Sequence, residues 1–113
     1  MNLKLRARLR LRKTDDGGRE MPISSGYRPD VTFDTDIEHL YGVTVTFACP
    51  EYVAPGEEAE VVVEPRCPDQ WDQHWFNAGT NFALCEGTRI VGTGSVLGYV
   101  PELSANFLNR SGA

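Results

Sequence analysis

The chain has 113 residues, 41% of them apolar and 24% charged, and a formal net charge of −5. That length supports one modest core, burying roughly 60–68% of the unfolded surface, and leaves no room within it for a second domain. The composition is that of an ordinary globular chain, not a disordered one. No apolar run approaches the ~18–20 residues of a membrane span, so no membrane partner is expected. The first residues hold no apolar block, so no secretory signal is expected either. Three cysteines (Cys49, Cys67, Cys85) are an odd count, which points to free thiols in a reducing cytoplasm and away from a disulfide framework.

Charge is spread unevenly. Residues 1–13 carry six basic side chains and no acid, a charge of +6. The rest of the chain holds five basic and sixteen acidic side chains, a charge of −11. An acidic body argues against a general nucleic-acid binder, because neutralising phosphates takes a basic surface. It leaves open a single basic stripe.

Leu3, Leu5, Ala7, Leu9 and Leu11 alternate with Lys4, Arg6, Arg8, Arg10 and Arg12. This strict period of two predicts a long strand with one buried face; helical spacing would scatter the arginines around a cylinder. Thr14 to Arg19, with Gly17 and Gly18, reads as a turn. Five further strands are predicted: Asp30–Thr35, Val43–Phe47, Ala59–Glu64 after a Pro55-Gly56 turn, a brief one around Phe82 and Leu84, and the glycine-dotted run Ile90–Val96. Glycines in such a run mark a close approach of another backbone. The nearest thing to a helix is Glu102–Asn109, where Leu103, Phe107 and Leu108 could form one apolar edge. The prediction is an all-β chain of six strands or slightly more, most simply a closed antiparallel barrel over residues 1–100, with a C-terminal extension over 101–113.

Several motifs recur in a telling order: Gly17-Gly18-Arg19, Pro22, Gly26-Tyr27-Arg28-Pro29, Phe33, then Pro55-Gly56, and finally Glu86-Gly87 with Arg89, Val91, Gly92 and Gly94. In this order and spacing, over roughly residues 5–100, the chain resembles the C-terminal (third) β-barrel domain of elongation factor Tu. The resemblance implies a six-stranded antiparallel barrel. In that family the domain packs against a GTPase domain, contacts the T-stem of aminoacyl-tRNA and helps bind the nucleotide-exchange factor Ts. It also implies a family-matched surface at Arg19, Arg28, Asp30, Glu86, Gly87 and Arg89. The phosphate-loop pattern GxxxxGK(S/T) does not occur in this sequence, so no GTP binding or hydrolysis is expected of it. The departures from the family pattern are Asp30 in place of a glutamine, Asp34 in place of a basic residue, Cys85 in place of an arginine, and Thr88 in place of a glycine. The first three shift that surface toward negative charge, which opposes a phosphate backbone.

Three features are additions to the family pattern: the arginine-rich outer face of the first strand, a connection between Pro65 and Phe82 about eight residues longer, and the extension from Pro101 to Ala113. The stripe Arg6, Arg8, Arg10 and Arg12 could grip nucleic acid, or could pair across the sheet with Glu58, Glu60 and Glu64, which recur at matching period. The long connection holds Trp71, His74, Trp75 and Phe76. These either fold back to cap one barrel end or stand out as partner-binding anchors. Catalysis and metal binding find little support. His39 and His74 lie in no nucleophile or HExxH context, and Asp69, Asp72 and His74 lack metal-ligand spacing. A Cys85–His dyad is the remaining catalytic candidate. The expectation is a non-enzymatic cytoplasmic binding module, with no cofactor, that engages a protein partner as adaptor, mimic or decoy. The alternative is an RNA- or tRNA-binding accessory protein.

Overall fold

A computed structural model describes residues 3–33 and 37–100. The period-two pattern of the first strand is realised in full. β1 (Leu5–Leu11) buries Leu5, Ala7, Leu9 and Leu11 and turns Arg6, Arg8 and Arg10 outward. The strands that follow are β2 (Ile23–Ser24), β3 (Asp30–Thr32), β4 (Tyr41–Thr46), β5 (Tyr52–Val53), β6 (Glu58–Pro65), β7 (Asn81–Glu86) and β8 (Arg89–Tyr99). Six of them close into an antiparallel barrel in the order β1-β6-β4-β3-β7-β8, and β2 and β5 form a separate ribbon. Closure satisfies every backbone edge, so the barrel offers no strand for edge-to-edge pairing. The six-stranded closed barrel expected from the sequence is the fold.

The inward rows of the strands make one core. Val31, Val43, Val45, Val61, Val63, Leu84, Val91 and Val96 meet the leucines of β1 there. β8 gives room to its neighbours: a Cβ on Gly92 would stand 2.7 Å from the Arg10 carbonyl oxygen, and one on Gly94 would enter the Phe82 ring. The close backbone approach predicted for this run is therefore real, and β8 runs three residues past the expected Val96.

Other boundaries differ from expectation. β3 ends at Thr32, and Phe33 turns its ring toward the barrel end; residues 34–36 lie outside the described residues. β4 begins at Tyr41, because Gly42 pairs through its backbone alone with Asp30. The ribbon strands β2 and β5 were not foreseen; Ile23 and Val53 pin them by burying their side chains. The helical turn expected over Glu102–Asn109, and the whole extension 101–113, lie outside the described residues.

Candidate functional site

Of the motif residues, Gly17, Gly18, Arg19, Tyr27, Glu86, Gly87 and Arg89 converge on one pole of the barrel. β7 and β8 join through the two-residue loop Gly87-Thr88, with Glu86 opposite Arg89. Gly87 has φ +63, the left-handed conformation that such tight hairpin loops demand and glycine adopts freely. The Glu86 carboxylate sits beneath this loop. It accepts a hydrogen bond from the Tyr27 hydroxyl and another from Arg19 Nε at 2.8 Å. Arg19 is held further by the carbonyls of Met21 and Pro22 and lies over the Tyr27 ring, 5.1 Å from its centroid. Arg89 donates to the carbonyls of Gly17 and Gly18, tying the first turn to the hairpin.

This network sets the protonation of the pole. Burial pushes the Glu86 carboxyl up, but hydrogen bonds from Tyr27 and Arg19 and the charges of Arg19 and Arg89 outweigh it, and the net shift is downward. Burial, then the hydrogen bond to Glu86 and its charge, holds the Tyr27 phenol far above its ordinary 10.0. Glu86 is thus an anion and Tyr27 a neutral donor throughout the neutral range.

The acidic substitution at Asp30 does not stand alone. Arg66 Nη2 lies 3.6 Å from Asp30 Oδ1, which offsets the charge that opposes phosphate. Arg28 is exposed and makes no ion pair among the described residues. Cys85 is fully buried, and burial first, then the Asp30 charge, pushes its thiol up. A Cys85–His dyad would need the opposite shift.

The arginine stripe is partly paired. Arg6 Nε lies 3.7 Å from Glu60 and Arg10 Nη1 3.3 Å from Glu58, both across the β1–β6 seam. Arg12 donates to the Ile90 carbonyl at 3.2 Å. Arg8 makes no ion pair among the described residues, although it faces Glu60 in register. Glu64, the third expected partner, lies opposite Thr44 on β4. Cross-strand pairing thus accounts for Arg6 and Arg10 and leaves Arg8 unengaged.

The aromatic insertion folds back over one end of the barrel. Two short 3₁₀ turns, Pro68–Gln70 and Gln73–Phe76, carry it. Thr80 latches it to β8 by accepting the Val96 amide at its carbonyl, and its hydroxyl donates to the His74 carbonyl at 3.1 Å. Trp71 and Phe76 are buried and stacked with centroids 5.4 Å apart; Trp75 is half-buried and stacks on Phe33 at 4.1 Å. Of the two arrangements open from the sequence, Trp71 and Phe76 take the capping one, because their rings complete a core that the barrel end would otherwise expose. The partner-anchor reading needs exposed rings, and these two are buried. His74 remains exposed, beside Tyr99 and Leu3 in an open hollow.

Two features of the surface escaped sequence reasoning. Tyr27 lies within Gly26-Tyr27-Arg28-Pro29, but its role as the Glu86 donor depends on closure of the barrel. Thr93 and Ser95 lie opposite Arg10 and Arg8, and Asn81 lies opposite Ser95; their outward period on β7 and β8 was the available signal.

Among the described residues no three His, Cys, Asp or Glu side chains come together to hold a metal ion, and no helix is long and apolar enough to cross a membrane. A closed six-stranded antiparallel barrel whose first turn, Tyr27 and β7–β8 hairpin meet at one pole is the architecture that the family resemblance implies. Residues 2–99 match the family described as the elongation factor Tu C-terminal domain. The chain belongs to that family.

Proposed function

We propose that this chain is a non-enzymatic binding module that engages a protein partner, as an adaptor, mimic or decoy related to translation. One observation carries the preference for protein over RNA. The family-matched cations Arg19 and Arg89 are engaged internally, by Glu86 and by the carbonyls of Met21, Pro22, Gly17 and Gly18. A phosphate backbone is held mainly by free cations, and this pole retains Arg28 alone of the three family-matched arginines for that purpose. Three free thiols, two of them exposed, support a cytoplasmic setting.

The RNA or tRNA reading keeps one observation in its favour: Arg66 offsets the charge of Asp30 beside Arg28. Salt and ribonuclease separate the two. Tagged protein incubated in native lysate should retain specific proteins after ribonuclease treatment and with little loss between low and physiological salt. Capture that vanishes with ribonuclease, or that falls steeply with salt alongside bound RNA, would overturn the protein reading.

A further inference from the structure

The outer face of the β1–β8–β7 seam is a groove. Register builds it in rows: Glu60, Arg8, Ser95 and Asn81 lie side by side across four strands, and Glu58, Arg10, Thr93 and Ala83 form the next row. A hollow of about 540 Å³ lies over these rows, floored by Ala83, Leu97 and the edge of Phe82 and walled by Arg8 and Arg10. A second, of about 350 Å³, continues from Arg10 and Thr93 to Arg12, Lys13 and Asp16. The two share Arg10 and Thr93 and follow one strand.

The wall is rich in donors. Arg8 makes no ion pair among the described residues. Ser95 Oγ donates to Asn81 Oδ1 at 2.6 Å, which leaves the Asn81 NH₂ group as a further donor. Arg8, Arg10 and Arg12 recur every second residue, about 6.6 Å apart, which is also the spacing of same-side residues in an extended peptide. From Arg8 to Lys13 the groove runs about 17 Å, the length of five or six extended residues.

Two anionic polymers could follow such a row of cations, and the groove discriminates between them. Single-stranded nucleic acid is held by stacking its bases on aromatic rings. Phe82 and Ala83 are each only 5% exposed, so the floor offers chiefly the half-buried aliphatic side chain of Leu97 and no open aromatic face. Glu58 and Asp16 also stand in the walls, where they repel a chain charged at every unit. A peptide charged at alternate positions sets neutral groups against them.

We propose that this groove binds an extended peptide segment with acidic side chains at alternate positions and aliphatic side chains between them. Its carboxylates meet Arg8, Arg10 and Arg12, and its aliphatic groups lie against Leu97. This assignment rests on the protein-binding reading above and names the surface and partner chemistry for it.

The test is fluorescence anisotropy with a labelled peptide of about six residues alternating glutamate and leucine, with the glutamine–leucine peptide as control and an oligouridylate as competitor. The acidic peptide should bind about tenfold more tightly than its neutral control. Arg8→Ala, which breaks no ion pair, should weaken it about fivefold or more with an unchanged melting temperature, and Thr93→Trp, which fills the junction of the two hollows, should abolish it. Equal affinity for both peptides, indifference to Arg8→Ala, or displacement by an oligouridylate whose own binding depends on Arg8 would overturn the proposal. Ribonuclease-resistant lysate capture that persists in both variants would remove the groove and leave the protein reading standing. Peptide binding without any such capture would do the reverse.

Discussion

Trp71→Ala tests whether the aromatic insertion holds the barrel shut. The indole is 6% exposed and packs edge-on against Phe33 (5.0 Å) and face-on against Phe76 (5.4 Å). Removing it opens a cavity at the barrel end, and truncating a buried tryptophan costs about 3–5 kcal/mol. Burial of roughly 200 Å² of ring at about 25 cal/mol/Å² leads to a similar figure. For a chain of this length, the melting temperature should fall by on the order of 15 °C. Trp75→Ala is the internal control. That ring is only half-buried, so losing its stack on Phe33 should cost less, about 1–2.5 kcal/mol. Thermal melts followed by circular dichroism, with urea titration to check that the slope is unchanged, read both values. A Trp71→Ala protein melting within about 3 °C of the parent would refute the capping role and return the ring to the partner surface.

Four further outcomes follow from the same contacts. Replacing both Arg6 and Arg10 by glutamine should cost under about 1 kcal/mol in urea, because both pairs are at the solvent-exposed seam. Gly94→Ala should destabilise by about 1–3 kcal/mol, since its Cβ would enter the Phe82 ring, which is hemmed in by Phe33. Glu86→Gln should cost about 1–2 kcal/mol at neutral pH, the low side for charged hydrogen bonds at a carboxylate one-third exposed. Because the folded Glu86 carboxyl is depressed, that difference should hold above its ordinary 4.5 and close as pH falls below it. In alkaline ultraviolet titration, Tyr27→Phe should remove a tyrosine that ionises well above its ordinary 10.0, and Tyr27's contribution to stability should be full below 10.0 and be lost as pH rises beyond it.

What was legible in the sequence is what repeats at short range. The alternation from Leu3 to Arg12 announces β1, and the matching period of Glu58 and Glu60 announces their pairing with Arg10 and Arg6. β2 and β5 are two residues each, too short for any period to register, and their place is set by tertiary burial of Ile23 and Val53. The pole was half legible. Its motif residues were visible, but Tyr27 and Glu86 are 59 residues apart and meet only through closure of the barrel. The same holds for Arg66 and Asp30, brought together by β4 pairing with both β3 and β6. The orientation of the aromatic insertion was open for a different reason: aromatic rings suit a core and an interface equally, and composition cannot choose between them.

Barrel closure also decides how this chain can recognise anything. With every strand of the barrel paired on both sides, the barrel wall leaves no backbone edge for a partner to extend, so recognition there falls to the outward side-chain rows and the loops at the ends. At the hairpin pole, Glu86 holds Arg19, and backbone carbonyls hold both Arg19 and Arg89; moving either arginine to a ligand would leave acceptors unsatisfied. Along β1 the balance is different. Glu58 and Glu60 reach Arg10 and Arg6 from the β6 side, while the β8 side offers only small neutral groups, Thr93 and Ser95. A carboxylate arriving from that side meets Arg8 without displacing an existing partner. Arg8, like Arg28 at the pole, is therefore a cation that can take an anion without breaking an ion pair among the described residues, even though the body around it is acidic.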